Sequence, residues 1–262
     1  MSKGIITGAA DLYIPTLELF ALSCQEQGIE LAVFDDGLCE EYAALLESYD
    51  VTWLDPIPMH PFLCQGKSTR KIPIEAYQKP FKCLQSPFDQ TIWIDADAVP
   101  LRGLDEMFNV LDRQEAFFVF PFTSPDMAAS LELLGRLCCP SAGIVPLNSG
   151  VVGWNKGNEI IDLWAATTFF VTSNPILREK TKTCDQDMLC YAVNTLGKTD
   201  LILLDIKYNT PPNFKMRGKF HEREQYLISD PKERLKAIRI DHPESYIVHW
   251  VGPRDKLEKV EK

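Results

Sequence analysis

Short apolar runs alternate with longer amphipathic stretches from the first residues of the chain, and this rhythm predicts a succession of strands and helices. Residues 3–7 read as a strand, and residues 11–27 carry Leu12, Leu17, Leu19, Phe20 and Leu22 in a helical rhythm that Gly28 closes. Residues 29–34 read as a second strand, 38–48 as a second helix and 51–54 as a third strand. Such alternation predicts an α/β fold with a mostly parallel sheet between helices. Residues 55–73 interrupt it: Pro56, Pro58, Pro61, Gly66 and Pro73, beside Lys67, Arg70 and Lys71, resist regular structure and predict a long functional loop. A helix over 74–86, bent or begun at Pro80, leads into the apolar run Thr91-Ile92-Trp93-Ile94. A helical turn over 104–111 and a strand over 116–120 follow. Beyond them the rhythm loosens into strand pieces around a tight turn at 145–154, helices over 159–171 and 185–196, and strands over 201–204 and 246–250.

The length of 262 residues, 45% of them hydrophobic, fits one sizeable α/β domain, and no internal repeat divides it. A net charge of -10 argues against nucleic acid or an anionic membrane surface as the main partner, since an acidic protein repels both. A phosphate-bearing ligand then needs a local site. The first residues lack the apolar core of a signal peptide, and no window approaches the roughly 20 apolar residues that span a bilayer. A cytoplasmic protein without a transmembrane segment is therefore expected. The eight cysteines, Cys24, Cys39, Cys64, Cys83, Cys138, Cys139, Cys184 and Cys190, form no Cys-x-x-Cys pair, and reduced, buried thiols are expected.

Candidate chemistry begins where the apolar run over 91–94 breaks into Asp95-Ala96-Asp97. A short, β-branched and aromatic run fits a fully buried strand, and ligand sites of such sheets lie beyond the carboxyl ends of the strands. Two hard carboxylates at this spacing suit Mg or Mn, and a divalent ion suits a phosphate-bearing substrate; the bland alternative is an Asp-rich turn or helix cap. Asn148-Ser149-Gly150 sets a polar turn inside an apolar stretch, read either as a bulge or hairpin or as groups lining a cleft. Asp185-Gln186-Asp187 opens a helix, where capping and the helix dipole already account for two acids, or else supplies ligand contacts. His249 ends an apolar strand, as a structural histidine or, beside a carboxylate pair, as a metal ligand.

Taken together, these segments resemble the GT-A glycosyltransferases of family 8, which includes glycogenin and bacterial lipopolysaccharide galactosyltransferases. In that family an Asp-x-Asp follows a buried strand, an Asn-[Ser/Ala]-Gly turn comes next, an Asp-Gln-Asp opens a later helix, and His-x-x-Gly-x-x-Lys closes the core. The order here is Asp95/Asp97, Asn148-Ser149-Gly150, Asp185-Gln186-Asp187 and His249-Trp250-Val251-Gly252, spanning most of the chain. The closing lysine position holds Asp255, between Arg254 and Lys256. The first strand end, Gly8-Ala9-Ala10-Asp11-Leu12-Tyr13, is similar to the family's nucleotide-binding turn with Ala10 and Leu12 at its acid and amide positions. Lys79 or Lys82 resembles the family's basic residue near the donor sugar.

The resemblance implies a GT-A type fold: a Rossmann-like, mostly parallel central sheet flanked by helices in a single domain over 1–262. Residues 1–100 would form a nucleotide-binding half, 101–252 a donor-sugar and acceptor half, and 253–262 a solvated tail. It implies transfer of a sugar from a nucleoside-diphosphate sugar, UDP-sugar being the expected donor, to a sugar, lipid or protein acceptor, with retention of anomeric configuration. Asp95, Asp97 and His249 would hold Mn2+ or Mg2+. Asn148, Asp185 and Gln186 would line the reacting sugar, with Gln186 nearest its reacting face. Thr7, Gly8, Ala9, Tyr13, Lys79, Ala96, Asn148, Ser149, Gly150, Gly252 and Lys256 would bind the nucleotide sugar. Residues 55–73 and 207–217 are candidates for acceptor contacts; Lys207-Tyr208-Asn209 in the latter resembles the family's late Tyr/Trp-Asn turn and is equally readable as a proline-fixed loop. Three alternatives stand beside this reading. A haloacid-dehalogenase-type Mg-dependent phosphatase would use one Asp of the pair as nucleophile. A nucleotidyltransferase normally carries a cationic first loop that Gly8-Ala9-Ala10-Asp11 lacks. A non-catalytic nucleotide-sugar-binding relative would keep the donor site without turnover.

Overall fold

A computed structural model of the chain describes residues 1–10, 13–57, 77–119, 146–174, 177, 185–197, 202–211 and 230–249. The elements, in chain order, are β1 (Lys3–Ala9), α1 (Ile14–Gln27), β2 (Glu30–Asp35), α2 (Glu40–Glu47), β3 (Thr52–Leu54), α3 (Lys79–Leu84), β4 (Gln90–Ile94), β5 (Ala98–Pro100), α4 (Leu104–Leu111), β6 (Ala116–Val119), β7 (Asn148–Asn155), α5 (Glu159–Thr172), α6 (Asp185–Thr195), β8 (Ile202–Leu204), a 3-10 turn (Ile206–Tyr208), α7 (Pro231–Asp241) and β9 (Ile247–His249). The expected α/β rhythm is present. The loop expected over 55–73 lies mostly outside the described residues, as do Gly252 and Lys256.

Among the described residues, seven strands form one sheet in the order β3-β2-β1-β4-β7-β6-β8. Pairing is parallel between β1 and β2, β2 and β3, β1 and β4, and β6 and β8. Only β7 runs the other way, antiparallel to both β4 and β6. The chain moves outward from β1 to β2 and β3, then returns to place β4 on the other side of β1. This is the switch point at which open α/β sheets form a ligand crevice. The β1–β4 register ends at Ile6 opposite Trp93, so two residues further on lie Gly8 and Asp95, both at that crevice.

The inner strands β1, β2, β4, β6 and β7 are buried on both faces, which is why most of them read as apolar runs. Ile5, Val33, Ile92, Ile94 and Phe117 pack with Phe20 of α1, Leu46 of α2 and Met107 and Phe108 of α4. Ile6, Phe34, Trp93, Phe118 and Val152 pack on the other face with Cys83 of α3, Trp164 of α5 and Leu189 of α6. Helix α1 ends at Gly28, whose φ of 66° is the left-handed cap that glycine adopts without a Cβ penalty. Cys24, Cys83 and Cys190 are free, buried thiols as expected, and burial pushes Cys190 up to about 12; Cys39 is exposed.

Three features differ from the sequence reading. Residues 148–150 make no hairpin: they begin the single strand β7, and the bulge alternative is the one observed, because Phe118 pairs with Val152 while the next residue, Val119, pairs with Asn148. A second, two-stranded sheet pairs β5 with β9, antiparallel, bringing Ala98 opposite His249. Helix α7 was not expected. Asp230 caps it by accepting from the Lys232 N–H at 3.0 Å, and Leu235 and Ile238 pack on Leu19 and Leu22 of α1 and on Val99 and Val248. The Arg234–Glu18 ion pair and the Arg239–Glu26 pair at 2.7 Å fasten it to α1.

Gly153 sits in β7 with its α-carbon against the Phe117 ring, where a Cβ would lie 2.1 Å from a ring carbon. Gly153→Ala should therefore lower stability by about 1–3 kcal/mol through overpacking, read as a fall in the denaturation midpoint at unchanged slope. An unshifted midpoint would contradict this account of the packing.

Candidate active site

The turn after β4 is held from three directions. The Asp95 N–H donates to the Gly150 carbonyl at 2.9 Å, the Ala98 N–H donates back to the Asp95 carbonyl at 2.9 Å, and Thr16 Oγ1, at the start of α1, donates to the Ala96 carbonyl at 2.7 Å. Asp95 and Asp97 thus leave a rigid backbone on the same side of the sheet edge. Their side chains are 24% and 31% exposed, whereas His249 is 4% exposed, so the group opens toward solvent on the carboxylate side.

The β5–β9 pairing carries His249 to them. His249 Nε2 lies 3.0 Å from Asp97 Oδ1 and 3.9 Å from Asp95 Oδ2. One ligating atom from each of Asp95, Asp97 and His249 can be chosen so that all lie within 4.8 Å of one another. Two hard oxygens and one imidazole nitrogen fit Mn2+ or Mg2+. The other ring nitrogen, Nδ1, is 2.8 Å from Asn209 Oδ1. Burial alone would depress the His249 ring, but Asp97 first and then Asp95 outweigh it and hold the ring above its ordinary value of 6.5. A proton on Nε2 therefore offsets the carboxylate charge where a divalent ion would otherwise do so.

Lys79 supplies the second positive charge. Its ammonium reaches from α3 to Asp95 Oδ1 at 2.7 Å, to Asp185 Oδ2 at 3.1 Å and to the Ser149 carbonyl at 3.2 Å. Asp95 Oδ1 also accepts from Trp93 Nε1 at 2.6 Å, which leaves Oδ2 facing His249. Burial works against ionisation of Lys79, yet Asp185 and Asp95 together hold its ammonium above the usual lysine value. Burial likewise works against the Asp95 carboxylate, and Lys79, His249 and the two hydrogen bonds bring it below the usual range. Asp185 moves the other way: its burial and the neighbouring Asp95 charge outweigh the pull of Lys79 and raise it.

The remaining candidates separate by position. Asn148 Nδ2 donates to Gln186 Oε1 at 3.0 Å, and Asn148 Oδ1 accepts from the Gly150 N–H at 2.8 Å, so the start of β7 and the start of α6 are tied together. Trp164 Nε1 donates to the Asp185 carbonyl at 2.8 Å and fixes that helix start. Gly150 faces the His249 ring, where a Cβ would lie 2.4 Å from Cε1. Asp95, Ala96, Asp97, Asn148, Ser149, Gly150, Lys79, Asp185, Gln186 and His249 are thereby one neighbourhood. At the β1 end, Thr7 and Ala9 are fully buried and Tyr13 is half-buried. Gly8 lies against a second ion pair, Lys82 Nζ to Asp36 Oδ2 at 2.6 Å, and a Cβ there would come 2.4 Å from that oxygen. Of the two candidate lysines, Lys79 is therefore the one at the Asp pair. Sequence reasoning missed Trp93 and Thr16, and it singled out Asn209 only as part of a segment offered for acceptor contacts; the polar tip of Trp93, two residues before Asp95 on an otherwise aliphatic run, carried a local signal.

No protein-family model and no curated protein matches the sequence. Solved structures do. The galactosyltransferase LgtC, in a complex with donor and acceptor sugar analogs, is 20% identical, with 95% of this chain and 87% of that chain covered and a TM-score of 0.59. WbbM, a bifunctional glycosyltransferase, is 13% identical, with 100% and 50% covered and a TM-score of 0.59. Mouse xyloside xylosyltransferase 1 is 12% identical, with 96% and 98% covered and a TM-score of 0.55. The resemblance carried by the motifs thus extends to the fold, which is the GT-A fold of these glycosyltransferases.

The raised His249 value carries a sign. A ring protonated more readily folded than unfolded adds stability that is complete below 6.5 and is lost as pH rises through the folded value. His242, depressed by burial, acts below 6.5 and in the opposite sense. Chelated protein should accordingly melt lower as pH rises from about 6.5 to 9, and His249→Gln should flatten that decline. A decline that survives in His249→Gln would contradict the assignment.

Proposed function

We propose that the protein is a metal-dependent glycosyltransferase that moves a sugar from a nucleoside-diphosphate sugar, with UDP-sugar the expected donor, to an acceptor with retention of anomeric configuration. The observation that carries this reading is the meeting, in a GT-A fold, of the Asp95/Asp97/His249 group with the Lys79–Asp185 pair and the Asn148–Gln186 bond. Residues 1–100 would hold the nucleotide and 101–252 the donor sugar and acceptor. His249 joins the two parts, since it comes from the second and completes the cation site of the first.

Breaking the bond between an anomeric carbon and a diphosphate builds negative charge on the leaving group while the sugar gains oxocarbenium character. Mn2+ or Mg2+ held by Asp95, Asp97 and His249 supplies a Lewis acid for that charge. Lys79 keeps Asp95 ionised and oriented, with one oxygen committed and the other free for the ion. Asp185 and Asn148 offer acceptors and an amide to sugar hydroxyls, and Gln186 stands nearest the reacting face. Gly252 with Lys256 would add a cationic contact to the diphosphate. The bulge at the start of β7 turns Asn148, Ser149 and Gly150 toward this cleft instead of into a regular ladder. No observation favours the phosphatase alternative.

The test is thermal stability with UDP, GDP, CDP or inorganic phosphate, each with Mn2+ and with a chelator. Ligand at about 100 times its Kd adds about 2.7 kcal/mol, which raises Tm by several degrees. A Mn-dependent rise with one nucleoside diphosphate is expected, and Asp97→Ala should stay folded while losing both that rise and sugar transfer. No response to any nucleotide, with a Mg-dependent response to phosphate, would overturn the proposal.

A further inference from the structure

We propose that Asn209 is the positioning residue that makes His249 a metal ligand, an inference that rests on the metal-site reading above. Within the 207–217 segment, a candidate for acceptor contacts in the sequence, Asn209 reaches the far side of the His249 ring from the metal group. Asn209 is fully buried, and its Oδ1 stands 2.8 Å from His249 Nδ1. Its backbone is held on the edge of β9 opposite β5: Tyr246 N–H donates to the Lys207 carbonyl at 2.7 Å, Thr210 N–H to the Ile247 carbonyl at 2.9 Å, and His249 N–H to the Thr210 carbonyl at 2.9 Å. Asp205 begins the 3-10 turn by accepting from the Lys207 N–H at 3.3 Å, and the Asn209 N–H closes it on the Ile206 carbonyl at 2.8 Å.

Two consequences follow from this geometry. An amide oxygen facing Nδ1 requires the proton to sit there, so Nε2 keeps its lone pair once a cation displaces its proton, and Nε2 is the nitrogen aimed at Asp97 and Asp95. The reversed amide would demand the other tautomer, with a proton on Nε2 and no ligand. An amide also orients the ring without adding charge. A carboxylate at this position would place a further negative group behind a pocket that already holds Asp95, Asp97 and Asp185, with Lys79 shared between two of them.

The experiment reads the ring and the ion separately. Nitrogen-15 spectra of the histidine rings in wild-type protein saturated with Mg2+, where the cation takes the place of the Nε2 proton that Asp97 accepts, assigned with His249→Gln, should show the proton on Nδ1. Mn2+ affinity, followed by the spin resonance of the free ion, should fall about 10- to 100-fold in Asn209→Ala and be largely kept in Asn209→Asp, which retains the acceptor. A proton on Nε2 in the Mg2+-saturated wild type overturns the inference without need of any variant. So does an Asn209→Ala protein with unchanged Mn2+ affinity. If His249→Gln and Asp97→Ala also bind Mn2+ as the wild type does, the metal-site reading falls with it; if those two weaken binding and Asn209→Ala does not, the positioning role alone falls.

Discussion

Asp95, Asp97 and Asp185 bring three carboxylates to the carboxyl end of β4, and the compensation of their charge organises the surrounding structure. Like charges in a partly dry crevice repel far more strongly than in water. Among the described residues, Lys79 lies between Asp95 and Asp185, and the His249 ring faces Asp97 and Asp95. Each depends on an element packed for that purpose. Helix α3, packed through Cys83 into the cluster that holds Trp93 and Trp164, delivers Lys79, and β9 is held between β5 and the 207–210 segment to deliver His249. The strand that runs against its neighbours in the seven-stranded sheet serves the same end, because β7 begins, and does not finish, at the carboxyl edge of β4. Its first three residues, Asn148, Ser149 and Gly150, therefore line the crevice.

The parts of the fold legible in the sequence are those in which one local pattern decides. The runs over 3–7, 29–34 and 91–94 are apolar because both faces of those strands are covered, and Gly28 marks the end of α1 by a backbone conformation. The Asp pair was legible as charge breaking a buried run. Asn148-Ser149-Gly150, Asp185-Gln186 and His249 were each open to a bland reading on their own residues, and the order they share with a known family, not their local chemistry, drew them together.

What was not legible depends on pairing across the chain. β5 has three residues, too few for a period, and exists because β9 lies beside it. The direction of β7 leaves no trace in its own composition. Helix α7 carried a cap and an N1 proline in Asp230-Pro231, but its buried face is only Leu235, Ile238 and the stem of Arg234 among charged neighbours, so the apolar rhythm is faint. Asn209 looked like a turn residue because it is one; its contact with His249 is 40 residues distant. At the end of β1, Ala10 and Leu12 stand where the family that the motifs resemble carries an acid and an amide. The carboxylate that the fold brings to that strand end is Asp36, the residue after β2, engaged by Lys82 over Gly8.

The most direct test is a crystal of the protein grown with Mn2+ and a nucleoside diphosphate, with anomalous scattering measured at the manganese edge. The account predicts one strong peak bonded to Asp95, Asp97 and His249 Nε2, with the diphosphate completing its coordination. A manganese peak bound elsewhere, or one at this site that leaves His249 still hydrogen-bonded to Asp97, would contradict it.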